Sequence, residues 1–331
     1  MVSIDLGYGY VKAVSKGKRV IFPSVVAPAQ ESTADFGRSL NYVLEYRSKE
    51  EITKHKMFVG DIAAKEGRAI EASLNRTKFT KQASIAMALA AAYILGCEKQ
   101  SPLVLGLPLA YYKNQREDVR NAFQKVAAHV SVNGGPERHI SFSKIEVFPQ
   151  GVGAVYAQSD LPEKGMVGLL DIGFYTTNYV LFECTTKDIE PLRSYNSTIE
   201  IGVSTAMKLF SEKMRQLTGT PISLTDAQYL WRKKRVSFRG VSVDPSLVVD
   251  EIIKMVVKSL TESVISAWSE KIDWLDDLLL SGGGSLEFYN EIKKLLPLAR
   301  LAKEPQFANA LGYIEMAGAP DDAKKSTVTG V

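Results

Sequence analysis

The apolar positions of this chain form two patterns, short continuous runs and longer segments with an apolar residue at every third or fourth position. Short runs are typical of buried strands, whereas the periodic segments predict amphipathic helices. Predicted strands lie at 2–6, 10–14, 18–24, 57–60, 103–107, 144–148, 168–172, 177–182, 198–201 and 278–280, and a polar, irregular surface insertion is expected at 28–56. Predicted helices lie at 81–95, 110–128, 154–158, 204–217, 246–270, 286–296 and 307–317. The alternation of strands and helices favours an α/β fold.

Two of the short runs end in the same sequence, Asp-x-Gly, about half a chain apart. Asp5 precedes Gly7, and Asp171 precedes Gly173. Each run leads through turn residues into a second β-rich run, so each half is predicted to open with a β-hairpin. Such a turn exposes N–H groups that can bind phosphate oxygens, and an aspartate at the strand end can hold a hydrated Mg²⁺. Plain hairpins without a ligand are the alternative, and a third copy at 35–37 is interpreted as chance.

Three glycine-rich turns follow apolar runs, at 7–9, 173–177 and 282–284. Glycine allows the backbone to approach a ligand closely. The first two turns suit phosphates, and the third suits a nucleoside lying against bare backbone. None has the spacing of a P-loop or of a dinucleotide-binding Gly-x-Gly-x-x-Gly motif. Lys12, on the returning strand, can reach phosphates as a flexible point charge, the alternative being an exposed strand lysine.

Composition bounds the class of protein. The chain has 331 residues, of which 45% are hydrophobic and 24% charged, as expected of a soluble protein with two domains. Cys97 and Cys184 lie in apolar stretches and are predicted to be buried thiols in a reducing compartment. The longest uncharged apolar stretch, 83–97, is too short to span a bilayer, and Met1 runs directly into the first strand. We expect a cytoplasmic protein without direct membrane contact.

The charge distribution does not favour a dedicated nucleic-acid binder. The net charge is +4 and the isoelectric point is near 8.8, which is only mildly basic. One basic cluster, Arg-Lys-Lys-Arg at 232–235, is interpreted as a solvated turn. Its alternative role is contact with an acidic partner or a phosphate backbone, which would make salt-sensitive DNA binding its signature.

Five segments, in order along the chain, resemble the motifs of the actin superfamily. Segments 5–12 and 171–178 resemble its two phosphate loops, and 280–285 resembles its adenosine motif. Segments 148–153 and 306–313 resemble its two connecting segments. The pattern is most similar to ParM-type plasmid-segregation actins and small archaeal actin-like proteins. One departure is Asn178, at a position where many relatives have aspartate.

The resemblance implies a duplicated actin/ribonuclease-H-like fold with two lobes around a nucleotide cleft. Its expected domain I comprises 1–157, with 314–331 returning to it, and its domain II comprises 158–313. The implied protein is a slow ATPase whose hydrolysis is coupled to filament turnover in a bacterial or archaeal cytoskeleton or in plasmid segregation. Its cofactors would be ATP, or GTP, with Mg²⁺. Its partners would be further copies in a filament, with an adaptor protein linking the filament to a DNA cargo.

The resemblance also implies roles for individual residues. Asp5 and Asp171 would hold Mg²⁺ through water, and Gln150 would orient the attacking water rather than abstract its proton. The implied nucleotide-binding residues are Gly7, Tyr8, Gly9, Tyr10, Lys12, Gly173, Phe174, Tyr175, Thr176, Gly202, Gly282, Gly283, Gly284 and Ser285.

The main rival is a sugar or acid kinase of the same two-lobed superfamily. Such a kinase needs an acidic base beside an acceptor pocket, and the sequence offers no candidate beyond the two aspartates.

Overall fold

The computed structural model describes residues 1–30, 42–48, 53–67, 71–72, 80–233, 236–238 and 241–318. The chain divides into two compact units, one containing Met1–Ser159 and the chain from Gln306, the other containing Asp160–Pro305. The return to the first unit at Gln306 lies before the predicted return at residue 314. The physical reason is that the last helix, Ala308–Gly318, packs as a whole on elements of the first unit.

The first unit has an extensive sheet with helices packed on it. Its strands in the described residues are β1 (Val2–Leu6), β2 (Tyr10–Ser15), β3 (Lys18–Pro23), β4 (Val25–Pro28), β5 (Tyr42–Ser48), β6 (His55–Val59), β7 (Glu71–Ala72), β8 (Ser101–Leu107), β9 (Ala127–Val132) and β10 (Arg138–Pro149). Its helices there are α1 (Asp61–Glu66), α2 (Gln82–Ile94), α3 (Leu109–Gln124), α4 (Val152–Tyr156) and α9 (Ala308–Gly318).

The strand order of this sheet is β3-β2-β1-β8-β10-β9-β5-β6-β4-β7. β1 and β2 form the predicted antiparallel hairpin, with Asp5 opposite Lys12. β8 lies parallel to both β1 and β10, as its continuous apolar sequence predicts. The alanine-rich helix α2 is buried along most of its length in the same core.

The second unit has a smaller sheet, covered by longer helices. Its strands in the described residues are β11 (Gly165–Ile172), β12 (Thr177–Cys184), β13 (Ile189–Ile199), β14 (Val236–Phe238), β15 (Val241–Val243), β16 (Asp277–Ser281) and β17 (Ala299–Leu301). Its helices there are α5 (Val203–Thr218), α6 (Leu224–Trp231), α7 (Ser246–Trp268) and α8 (Gly283–Leu295), with a 3₁₀ helix at Ser269–Trp274.

The two main sheets repeat one topology. In the second unit the order is β13-β12-β11-β16-β17, with two antiparallel pairs followed by two parallel pairs. In the first unit β3-β2-β1-β8-β10 has the same sequence of antiparallel and parallel pairs. β1 and β11, the strands that contain Asp5 and Asp171, occupy equivalent central places. The prediction of a duplicated α/β fold is confirmed.

Several predicted elements need correction. The segment 28–56 is not simply an irregular insertion, because β5 pairs with β9 and β6 and buries Leu44. The helix predicted to reach residue 128 ends at Gln124, since Ala127 already pairs in the sheet. The strand predicted at 198–201 is the end of the much longer β13. The Asp-x-Gly copy at 35–37 and residues 319–331 of the expected domain I lie outside the described residues.

Two further predictions concern the cysteines and the absence of a membrane-spanning segment. Cys97 and Cys184 are both buried free thiols, as predicted. Within the described residues, no helix combines the length and the apolar character that crossing a membrane would require.

Candidate functional site

In the first unit, Asp5 lies near the end of β1 and is almost completely buried. The hairpin register places Lys12 directly opposite on β2, and its Nζ lies 3.1 Å from Oδ2 of Asp5. The exposed fractions of the Lys12 and Asp5 side chains are 12% and 4%. The carboxylate and the predicted phosphate-binding ammonium thus form one buried ion pair.

Gln150 joins this pair from the end of β10. Its backbone N–H extends the pairing with β8 by donating to the carbonyl oxygen of Leu107 at 2.6 Å. Its side-chain Nε2 donates to Oδ1 of Asp5 at 2.8 Å. The structure therefore brings together three residues singled out from distant parts of the sequence, Asp5, Lys12 and Gln150.

The turn after β1 has little space for side chains. A Cβ atom added at Gly7 would lie 2.6 Å from the carbonyl oxygen of Tyr10 and 3.1 Å from Nζ of Lys12. The buried Ser24, which sequence reasoning missed, holds the turn by two hydrogen bonds to its backbone. Its hydroxyl donates to the carbonyl oxygen of Gly7 at 2.7 Å, and its N–H donates to that of Gly9 at 2.9 Å. Tyr8 is partly exposed and Tyr10 exposed at this turn, which therefore presents aromatic rings to solvent.

In the second unit, Asp171 lies in a row of polar side chains across the sheet. The register aligns it with Ser281 on β16 and with Asn178 on β12, which in turn faces Thr198 on β13. The Ser281 hydroxyl donates to Oδ1 of Asp171 at 2.9 Å, and the Thr198 hydroxyl donates to Oδ1 of Asn178 at 2.8 Å. The amide at position 178 is thus hydrogen-bonded within the sheet. Ser281 lies in the segment 280–285 that the sequence singled out, but its contact with Asp171 was not predicted.

The second phosphate-type turn packs on the start of α5. The Gly173 N–H donates to the carbonyl oxygen of Thr176 at 2.8 Å, which closes the turn. The carbonyl oxygens of Gly173 and Phe174 accept from the first N–H groups of α5, those of Val203 and Ser204, at 3.2 and 2.6 Å. This close approach requires glycine at the N-cap of α5, Gly202, because its Cβ would lie 2.6 Å from the Phe174 oxygen.

Tyr175 completes this turn as a half-buried aromatic residue. Its ring contacts that of Phe174 edge to face, with centroids 4.8 Å apart. Burial raises the pKa of the Tyr175 hydroxyl above its ordinary value. The hydroxyl therefore stays protonated at neutral pH and can act as a hydrogen-bond donor.

The third glycine-rich segment is both a turn and the start of a helix. Gly282 has a φ of 80°, and α8 begins at Gly283 rather than at the predicted residue 286. A Cβ at Gly282 would lie 2.3 Å from the Ile172 carbonyl oxygen and 2.8 Å from Oδ1 of Asp171. The Ser285 side chain is completely buried and donates to the Gly282 carbonyl oxygen at 2.7 Å. The segment is therefore held directly against the strand that contains Asp171.

The predicted site residues thus form two groups, one in each unit. We call Asp5, Lys12, Gln150 and the turn at 7–10 the first half-site. We call Asp171, the turn at 173–176 and the segment 282–285 the second half-site. Among the described residues, no cluster of three or more His, Cys, Asp or Glu side chains is arranged to hold a metal ion. The two aspartates offer hard oxygen donors of the kind that suit a Mg²⁺ ion retaining most of its waters.

The basic cluster at 232–235 contributes to neither half-site in its described part. Arg232 follows α6 and forms an exposed ion pair with Glu287 of α8. The Lys233 ammonium lies 4.7 Å from the centroid of the Tyr229 ring. Lys234 and Arg235 lie outside the described residues.

Comparisons with known proteins find similar sequences over nearly the whole chain. A family model described as the N-terminal domain of actin-like proteins matches residues 3–153. A second, described as the C-terminal domain of the archaeal, MreB-like actin homologue, matches residues 169–294. The archaeal actin homolog of Thermoplasma acidophilum is 25% identical over 330 residues, which cover 96% of this chain and 98% of the relative. That of Thermoplasma volcanium is 24% identical over the same shares.

Solved structures give the same result. A crystal structure of an archaeal actin homolog in complex with ADP has a TM-score of 0.79 and 25% identity. A 15-stranded ParM filament from Clostridium botulinum has a TM-score of 0.85 and 23% identity, a likeness of fold. Each match covers 96% of this chain and 98% of the other. The N-terminal and C-terminal family models match consecutive parts of the chain, and the main sheets of the two units repeat one topology. This protein therefore belongs to the actin superfamily.

Proposed function

We propose that the protein is a slow, Mg²⁺-dependent ATPase that assembles into filaments, and that both half-sites act on the same nucleotide. The observation on which this rests most is the equivalence of Asp5 and Asp171. Each lies near the end of the central strand of the same five-strand arrangement, directly before a glycine turn. Two equivalent carboxylate-and-turn units are what a triphosphate with its metal requires, with oxygen donors for the hydrated ion and N–H groups for the phosphates.

The first half-site contains the groups needed for phosphoryl transfer to water. Mg²⁺, when bound with the nucleotide, would neutralise charge that develops on the phosphates. Lys12, already placed beside Asp5, supplies a cation that can move to a phosphate oxygen when a triphosphate enters. The ion pair gives Lys12 a defined position before the ligand arrives.

Gln150 is proposed to orient the water molecule that attacks the terminal phosphate. Because its Nε2 donates to Asp5, its Oε1 is the atom that remains to accept a hydrogen bond from water. A glutamine amide cannot take up a proton at neutral pH, so its contribution is orientation of the nucleophile. This chemistry is consistent with slow hydrolysis.

ATP is the proposed nucleotide, with GTP as the alternative. The support is the ADP complex of the archaeal actin homolog, a protein 25% identical to this one. In the second half-site, a Cβ at Gly282 or at Gly284 would meet Ile172 of the Asp171 strand, so both glycines are packed against protein, whereas Gly283 is partly exposed. We further propose that a nucleoside lies against the bare backbone at Gly283.

Filament formation is the second part of the proposal. ParM of Clostridium botulinum forms a 15-stranded filament, and it has the fold of this chain over nearly its whole length. We propose that this protein likewise self-associates when ATP is bound, acting in the cytoplasm on a cytoskeletal or plasmid-segregation load. An adaptor protein, rather than the chain itself, would contact a DNA cargo.

The proposal is tested by sedimentation and phosphate release on the same samples. The wild-type protein with Mg-ATP should pellet above a critical concentration, and phosphate release should accompany or follow assembly. Asp171→Asn should lose both activities, whereas Asp118→Asn, at an exposed position of α3, should retain nucleotide hydrolysis. A protein that stays monomeric with ATP and GTP, and that phosphorylates a sugar or an acid, would instead be the rival small-molecule kinase.

A further inference from the structure

The backbone directly after Gln150 has an unusual conformation. Gly151 has a φ of 91° and a ψ of −49°, a region that side-chain-bearing residues rarely enter. Its N–H donates to Oδ1 of Asn309 at 2.9 Å, a partner 158 residues further along the chain. Asn309 lies in α9 and is 6% exposed. The peptide group between residues 150 and 151 is therefore held from the side by a buried amide.

Asn309 itself is held in place by close packing of α9 on α4. A Cβ at Gly312 would lie 1.6 Å from the carbonyl oxygen of Gly153, so the two helices touch through backbone. The Tyr313 ring fills the space beside Gly153 and stacks on Phe148, with ring centroids 6.1 Å apart. Such contacts leave α9 little freedom to slide along α4. The Asn309 oxygen is thus a fixed reference point for the turn.

The orientation of the 150–151 peptide affects the Gln150 side chain, because both are joined to the same Cα atom. Gln150 is anchored on one side by its N–H, which donates to Leu107, and at its tip by Nε2, which donates to Asp5. The bond to Asn309 fixes the other side of the same residue. Without it, the peptide could rotate about the flexible glycine, and a small rotation there moves the amide of Gln150 relative to a bound phosphate.

We propose that Asn309 is a positioning residue for Gln150, and that it acts through the N–H of Gly151. This inference rests on the proposed function, because it assigns Asn309 to the step in which Gln150 orients water. In this proposal Asn309 does not contact the nucleotide. Its loss should lower the rate of hydrolysis while leaving the affinity for nucleotide nearly unchanged.

Two variants separate the hydrogen bond from general packing. Asn309→Asp keeps an acceptor oxygen, loses the Nδ2 donors and adds a negative charge, whereas Asn309→Leu keeps the size and loses the acceptor. We expect Asn309→Leu to lower kcat about 10-fold, with a nucleotide Kd within about twofold of the wild-type value. Asn309→Asp should retain most of the wild-type kcat. If Asn309→Leu does not fold, as judged by circular dichroism and thermal melting, Asn309→Ala takes its place.

A double-mutant cycle with Gln150→Ala decides whether the effect passes through Gln150. In the Gln150→Ala background, Asn309→Leu should cause no further loss of kcat. Multiplied losses, or an Asn309→Leu variant with wild-type kcat, would overturn the inference while leaving the proposed function intact.

Hydrogen exchange at the Gly151 amide gives a readout that needs no hydrolysis. We expect exchange to be at least about 10-fold faster in Asn309→Leu than in Asn309→Asp, with other amides of α4 nearly unchanged. Equal exchange in the two variants would also overturn the inference. A wild-type protein that binds but never hydrolyses nucleotide would contradict the proposed function. It would also contradict the role of Asn309, which depends on that function.

Discussion

Gln150 donates a hydrogen bond from its Nε2 to Oδ1 of Asp5, 2.8 Å away and 145 residues earlier in the chain. The bond joins the end of β10 to the end of β1, two strands separated in the sheet by β8. It also settles the orientation of the glutamine amide, since only the nitrogen can donate to a carboxylate. The group proposed to orient water is therefore aligned by the group proposed to hold the metal.

The first prediction concerns Gln150 itself. Gln150→Ala should slow phosphate release from Mg-ATP on the order of 100-fold, because the water loses its orienting acceptor. Nucleotide affinity, measured by fluorescence titration, should stay within about twofold of the wild type. Normal hydrolysis by this variant would show that another group orients the water.

The second prediction compares two completely buried serines. Ser281→Ala removes the hydroxyl that donates to Asp171 and should cost about 1–2 kcal/mol of unfolding free energy as well as weakening Mg²⁺-dependent nucleotide binding. Ser3→Ala is the matched control, because the Ser3 hydroxyl has no hydrogen-bond partner among the described residues. Its removal should be neutral or stabilising. Urea unfolding of both variants measures the difference, and equal effects would argue against a role for Ser281.

The third prediction uses two glycines with positive φ. Gly219→Ala, with a φ of 68° and no atom within 4 Å of the new Cβ, should cost only the conformational penalty of about 1 kcal/mol. Gly282→Ala brings the same penalty together with a Cβ 2.3 Å from the Ile172 oxygen. We expect it to be clearly less stable and to bind nucleotide poorly. Thermal melting with and without nucleotide measures both effects, and similar behaviour of the two variants would contradict the tight approach.

The fourth prediction concerns stability in alkaline solution. Burial raises the pKa of both thiols, and for Cys184 the nearby carboxylates of Asp277 and Asp276 add to the increase. A pKa raised in the folded state gives stability that is fully present below the unfolded thiol pKa of about 8.5 and lost as the pH rises through the folded-state pKa. The free energy of unfolding should therefore fall as the pH rises above the unfolded thiol pKa of about 8.5. The Cys97→Ser/Cys184→Ser protein should show a shallower fall, and an unchanged slope would exclude this cause.

Much of the fold could be predicted from local sequence pattern. Both hairpins, the parallel strand β8 and the long helix α7 follow from apolar runs or three-to-four periodicity. β5 was missed because its polar flanks conceal the alternation of Tyr42, Leu44 and Tyr46. The short helix α6 and the two-strand hairpin β14–β15 carry too few periodic positions to stand out.

The candidate site was only partly predictable for a different reason. The glycine turns and the two aspartates form local motifs, which a single sequence can reveal. Ser24, Ser281 and Asn309 act through hydrogen bonds to residues 17, 110 and 158 positions away. Ser281 and Asn309 lie inside the segments 280–285 and 306–313, but a serine or an asparagine in a motif carries no local sign of its distant partner, so these bonds emerge only when the chain is folded.

The central claim is that one nucleotide engages both half-sites. Calorimetric titration with Mg-ATP, at a protein concentration below the critical concentration for assembly, tests it most directly. We predict one ATP per chain, with affinity strongly reduced both by Asp5→Asn in the first unit and by Asp171→Asn in the second. Two nucleotides per chain, each affected by one of these substitutions alone, or binding that neither substitution weakens, would contradict it.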